Sequence, residues 1–279
     1  MKYFVLLALT AHLSFGQVAS KQGQGFFNWG YNRSFYAKSD IRFLGPGYDF
    51  TLYDVAANDR PTGWDSKIYL SPSNLTIPQF NCHFGVYLRD DLSISGGWDH
   101  MKYVVQEGQN VKIDGYIDRE VSPDYAGFYP EGSMIEYQKD FLHLEHTDGL
   151  NLIRVNIDKY NELMSFKFLR VRSFYGAGVG VMMPQTDFTF GGVRKNNNDQ
   201  VVLQGFGIST NMGLIFEIGN HFYLQAQSHQ GFITLPWDRT RGKASDRVKQ
   251  EIWFQEYFVS FGATFPVGLK KLEGRSSAE

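Results

Sequence analysis

Between Gly205 and Phe216 the chain alternates between small or polar residues and apolar ones. A strand sends successive side chains to opposite faces. Phe206, Ile208, Met212, Leu214 and Phe216 therefore share one face with Thr210, and Gly205, Gly207, Ser209, Asn211 and Gly213 line the other. Two architectures accept such a strand. A water-soluble sandwich turns the apolar face inward, whereas a membrane-spanning barrel turns it to lipid and keeps small and polar residues for a narrow lumen.

The start of the chain favours the second. One positive charge in Met1-Lys2-Tyr3 precedes an apolar run from Phe4 to Leu13, interrupted only by Thr10 and His12. Ser14-Phe15-Gly16 then places small residues where a signal peptidase needs them. This layout predicts a secretory signal over residues 1–16, with an apolar run too short to span a bilayer. No later run approaches the roughly 20 apolar residues of a membrane helix, so a spanning mature chain must be a closed barrel. Cys82 is the only cysteine, which rules out an intramolecular disulfide. A formal net charge of −2 gives no general attraction to nucleic acid. The 24 Phe, 16 Tyr and 29 Gly fit a β architecture with aromatic girdles.

Other segments alternate in the same way. Phe80, Cys82, Phe84, Val86 and Leu88 share a face, and a tight turn at Arg89-Asp90-Asp91 leads to a hairpin partner from Leu92 to Trp98. Ile153, Val155 and Ile157 oppose Leu152, Arg154, Asn156 and Asp158. Val171, Ala177, Val179, Val181 and Met183 oppose Arg170, Arg172, Gly176, Gly178 and Gly180. In the last strand Tyr257, Val259, Phe261, Ala263 and Phe265 oppose Glu256, Phe258, Ser260, Gly262 and Thr264. Gly176-Ala177-Gly178-Val179-Gly180 lacks the spacing of a phosphate loop and reads as glycines in a crowded interior. Short connections fall near residues 89–91, 162–166 and 218–221, and long ones near 56–77, 106–149, 184–200 and 235–250.

The expectation is an all-β antiparallel transmembrane β-barrel with short periplasmic turns and long extracellular loops. It has about eight strands, with ten as the alternative, over residues 40–267. Residues 17–39 read as an N-terminal segment, partly strand or a lumen plug, because Phe26 to Tyr36 would make an odd ninth strand. Residues 268–279 read as a polar tail.

Ser260-Phe261-Gly262-Ala263-Thr264-Phe265-Pro266-Val267 resembles the β-signal of bacterial outer-membrane proteins, although 12 residues follow it. Three further segments, Phe26 to Arg33, Asp99 to Tyr103 and Glu145 to Asn151, make the mature chain similar to uncharacterised outer-membrane barrels of the Bacteroidota type. That resemblance implies an outer-membrane location, the lipid bilayer as surroundings and the barrel assembly machinery as a partner during biogenesis. It implies no biochemical role.

Inward polar positions supply the candidate site. Arg154, Asp158, Arg170, Arg172, Asn211, Gln225, Gln227, His229 and Glu256 fall on non-lipid faces. In so narrow a lumen they read as a paired plug, with a narrow pore for small solutes as the alternative. Glu145-His146-Thr147-Asp148-Gly149 is similar to the His-x-Ser-Asn-Gly segment of barrel-embedded phospholipases and lipid A deacylases. An acyl hydrolase using Glu145, His146 and Asp148 is therefore a second alternative. Asp148 occupies the serine position, however, and Thr147 would point away from His146 on a strand. His83, His100, His143, His146 and His229 show no recognised ligand spacing, so neither metal nor cofactor is expected. The 106–149 loop sets Tyr116, Tyr125, Phe128 and Tyr129 among Asp118, Arg119, Glu120 and Asp124, which makes it the candidate region for a surface ligand. The leading expectation is a non-enzymatic barrel with a membrane-structural or surface-interaction role. A secreted soluble lipid- or sugar-binding barrel remains the outside alternative.

Overall fold

Alternation predicts strands, and the computed structural model, which describes residues 20–196, 202–240 and 245–267, consists of little else. The strands are β1 (Gln24–Tyr36), β2 (Ser39–Gly45), β3 (Tyr48–Val55), β4 (Ala57–Asn58), β5 (Phe80–Arg89), β6 (Leu92–Val105), β7 (Gln109–Ile117) and β8 (Gly127–Tyr137). They continue with β9 (Leu142–Ser165), β10 (Leu169–Met182), β11 (Asp187–Phe190), β12 (Val193–Asn196), β13 (Gly205–Ile218), β14 (Phe222–Arg239) and β15 (Arg247–Pro266). One helical turn, α1 (Ser66–Tyr69), interrupts the connection before β5. The expected signal peptide at 1–16 and the polar tail at 268–279 lie outside the described residues.

Eight strands close a ring in the order β1-β5-β6-β9-β10-β13-β14-β15, with β15 pairing back to β1, all antiparallel. Partners followed around the ring from Gly25 run through Val86, Ile94, Ile157, Ala177, Thr210, Gln230 and Gln255. They return to β1 at Phe35, a stagger of ten residues. A stagger of that size tilts the strands by about 40° and leaves an interior that side chains can fill. Phe26 to Tyr36 is thus not an odd ninth strand or a plug: β1 is a full member of the ring, which starts at Gln24 rather than residue 40.

Along every ring strand the outward side chains are mainly apolar and exposed, including Ile157, Val179 and Val259, each more than half accessible. Inward positions are small or polar. A Cβ at Gly176 would lie 2.1 Å from Asp158 Oδ1, and one at Gly178 would lie 2.0 Å from Asn156 Oδ1. Those glycines make room for neighbouring lumen side chains.

Residues 40–55, expected as part of the barrel, lie in the β2–β3 hairpin outside the ring. There the pattern reverses: Ile41, Phe43, Phe50 and Leu52 are buried, while Asp40 and Arg42 are exposed. The upper end of β15 continues past the ring to pair with β2, and β3, β7 and β8 extend that sheet. On the other side, the upper end of β9 pairs with the β11–β12 hairpin. Phe43 stacks on Phe50 and Phe188 at 5.0 and 5.7 Å, within an apolar core that also holds Phe141 and Phe190. Each buried aromatic contributes about 1.5–3 kcal/mol. Much of the expected 106–149 loop is therefore strand, part of a dome over one mouth of the barrel.

Candidate functional site

Inward alternation from five strands converges on one sealed charge cluster. Asn81 and His83 come from β5, Asp99 from β6, Arg154 from β9, His229 from β14 and Glu256 from β15, all buried. Asn81 Nδ2 donates to Asp99 Oδ1 at 2.6 Å and to Glu256 Oε1 at 3.1 Å, tying the two carboxylates together. Arg154 pairs with Asp99 Oδ2 and donates to Asn156. His83 Nε2 lies 2.8 Å from Asp99 Oδ1, and His229 Nδ1 lies 2.7 Å from Glu256 Oε2. Charges so deeply desolvated persist only when paired and hydrogen-bonded.

Nearer the short turns a second cluster forms around Glu217. Arg170 and Arg172 both pair with its carboxylate, and Lys21 Nζ approaches to 3.4 Å. The Arg172 guanidinium lies over the Tyr160 ring at 4.5 Å and donates to Tyr87 Oη at 2.9 Å. Between the clusters, Asn211 donates to Asp158 at 2.6 Å and Gln225 to Gln227 at 2.6 Å. The cavity left among them holds about 10 Å³, space for one water at most.

All nine polar positions expected in the lumen lie there, in one connected interior. Sequence reasoning missed Asn81, Asp99, Glu217 and Lys21, and weighed His83 only as a histidine without ligand spacing. For Asp99 the signal was present, because Ser93, Ser95 and Gly97 precede it on the same face of β6. Glu217 likewise continues the face of Asn211 and Gly213. Lys21 precedes the first strand and carries no periodic signal.

The Glu145-His146-Thr147-Asp148 segment lies in the dome-side part of β9, and alternation splits it. His146 points inward, fully buried, with Nδ1 3.1 Å from Thr186 Oγ1. The Thr186 hydroxyl donates to Asp238 at 3.0 Å, so it accepts from His146 instead of surrendering a proton to it. Both Thr186 and Asp238 are buried as well, out of reach of an ester. Thr147, on the opposite face, donates to Glu145 at 2.7 Å, and Asp148 is exposed. No nucleophile open to substrate stands beside His146 among the described residues.

Cross-strand register does gather metal-ligating groups that linear spacing hid. Asp99, His229 and Glu256 bring ligand atoms within 4.8 Å of one another, as do His143, Glu145 and Asp187. Both groups are already engaged by cations. Arg154 takes Asp99, Arg60 takes Glu145 at 2.9 Å, and Arg194 takes Asp187. In the dome, the hydrogen bond from His143, with help from Thr147 and Arg60, holds the Glu145 carboxyl at about 2 against the upward push of burial. The pairing pattern is that of an ion network.

No family model matches the sequence, and no curated protein matches it. Among solved structures, the chain is similar to the outer membrane protein OprG from Pseudomonas aeruginosa, at 10% identity and a TM-score of 0.42. That match covers 88% of this chain and 97% of the other. It is similar to the outer membrane protein AlkL at 12% identity and a TM-score of 0.40, covering 91% and 96%. Ail of Yersinia pestis follows at 13% identity and a TM-score of 0.30, covering 88% and 99%. The barrel assignment rests on the closed eight-strand ring rather than on these likenesses.

Proposed function

We propose that this chain is an integral outer-membrane β-barrel of the Bacteroidota type, with a membrane-structural or surface-interaction role and a lumen that does not conduct. The observation that carries this reading is the reversal of burial along single strands. On β15, Trp253, Tyr257, Val259 and Phe261 face outward and exposed. Beyond Trp253 the outward residues become Glu251 and Lys249, while Val248 and Ile252 turn into the dome core. An apolar exterior over a polar interior suits lipid, and a charged exterior over an apolar interior suits water. The boundary falls at Trp253, an amphipathic residue of the kind enriched at membrane interfaces.

The dome then stands outside the membrane and presents the 106–149 segment, where Phe128, Met134 and Tyr116 are exposed on β7 and β8. It is the natural contact region for a surface ligand. The sealed charge clusters fix the barrel's shape and leave no solute path among the described residues. Planar-bilayer recording of the folded protein tests this. Silence is the expected result, and discrete conductance steps blocked by no added ligand would favour the pore alternative.

A further inference from the structure

The dome sheet ends on an open strand. Its order β15-β2-β3-β7-β8 stops at β8, and no other strand meets the far edge of β8 among the described residues. Such an edge carries a row of unpaired N–H and C=O groups, which proteins blunt with proline, bulges or charge. Here only the first half is blunted by backbone geometry. Pro130 has no N–H, Gly132 has a φ of +88°, and the register shifts between Ile113 and Gly115. Ser133 to Tyr137 pair regularly with Ile113 to Gln109 and leave five residues of pairing-competent edge.

The apolar side of that edge is unfinished. On β7 Val111, Ile113 and Ile117 are buried, whereas Ile135 and Tyr129 on β8 pack against the same core only half-buried. The opposite side presents Met134 and Glu136 to solvent. Charge singles out the kind of chain that fits. From Glu107 to Asp140 stand eight acidic side chains and three basic ones, a net −5 in a chain whose total is −2. Among the described residues no lysine or arginine forms an ion pair with any of the eight, and Glu107 meets only His143 Nδ1, at 3.9 Å. Arg42, across the same sheet, is held by Asp49 at 2.7 Å.

We propose that the free edge of β8 binds an extended, basic polypeptide segment as a further strand. The inference deepens the surface-interaction reading above and rests on it. Backbone pairing along Ser133 to Tyr137 would hold the segment. Apolar residues on one of its faces would continue the dome core past Ile135, and lysines or arginines on the other would stand beside Glu136, with Glu131 just beyond. A second copy of this chain fits less well, because it would set one net-negative edge against its twin.

Fluorescence anisotropy reads the site, using the folded full-length barrel in neutral detergent and a labelled alternating Lys-Val peptide of about six residues, the usual strand length. Saturable binding is expected, with hydrogen exchange slowed at the amides from Ser133 to Tyr137. The same peptide N-methylated at every residue keeps its charge but has no backbone donor, and it should not bind. An alternating Glu-Val peptide should fail as well. Glu131→Lys with Glu136→Lys should weaken binding roughly tenfold, attractions turned into repulsions at two positions. Both glutamates are exposed, so this variant should keep the wild-type shift in gel migration on boiling. No binding, equal binding of the N-methylated peptide, or protection confined to another strand overturns the proposal. Dimerisation of the free barrel that protects the same five amides overturns it too, since the occupant would then be a second copy. Labelling Met134→Cys on intact cells with an impermeant maleimide, against the wild-type chain with Cys82 alone, separates the two levels. A labelled dome that ignores the peptide sinks the strand addition only, and an unlabelled one sinks the surface reading itself.

Discussion

Replacing Arg154 with alanine is expected to cost about 3–5 kcal/mol of folding stability, because the partner carboxylate stays buried without its cation. Arg154 is 2% exposed and Asp99 is fully buried, so water cannot replace the lost guanidinium. Asn81 and His83 still donate to Asp99, but Asn81 also serves Glu256. Two carboxylates would then share one amide with no fixed positive charge between them. The double variant Arg154→Met with Asp99→Asn should recover much of the loss, since it removes both charges and keeps the volume. Urea unfolding in lipid vesicles measures each variant. A loss below about 1 kcal/mol for Arg154→Ala, the range of exposed pairs, would show that water reaches the cluster.

Ile157→Arg should cost about 2–4 kcal/mol, the penalty for arginine near the bilayer midplane on the lipid face of a barrel. Ile157 is 55% exposed and sits between the outward Ile94 and Ala177, well inside the apolar belt. On a soluble protein the same exposed substitution would change stability by about 0.5 kcal/mol or less. The two environments therefore predict different sizes for one mutation at one exposed site. Equilibrium unfolding in vesicles reads the difference, and a near-neutral result would mean that the belt faces water.

How far the sequence carried this account depends on what alternation records. It records which residues share a face, and it did so correctly for Gly205 to Phe216 and for Trp253 to Phe265. Alternation does not record what lies beyond each face. Ile41, Phe43, Phe50 and Leu52 alternate with charged or polar residues as cleanly as apolar residues alternate with polar ones in the barrel strands, yet their apolar face points into a core. That is why residues 40–55 read as barrel and proved to be dome. Nor does linear order show register. Asp99 meets Arg154 because β6 and β9 are neighbours, with Gly97 opposite Arg154. It meets Glu256 across the lumen, through Asn81.

A closed barrel whose exposed apolar wall is held by lipid should behave as a heat-modifiable membrane protein. Migration on a gel before and after boiling, run on protein from a carbonate-washed outer-membrane fraction, tests it most directly. A closed, hydrogen-bonded ring resists the detergent until heated, so unboiled and boiled samples should run at different positions and the protein should stay with the membrane. Release into the carbonate supernatant, with identical migration before and after boiling, would mean that the apolar wall does not face lipid.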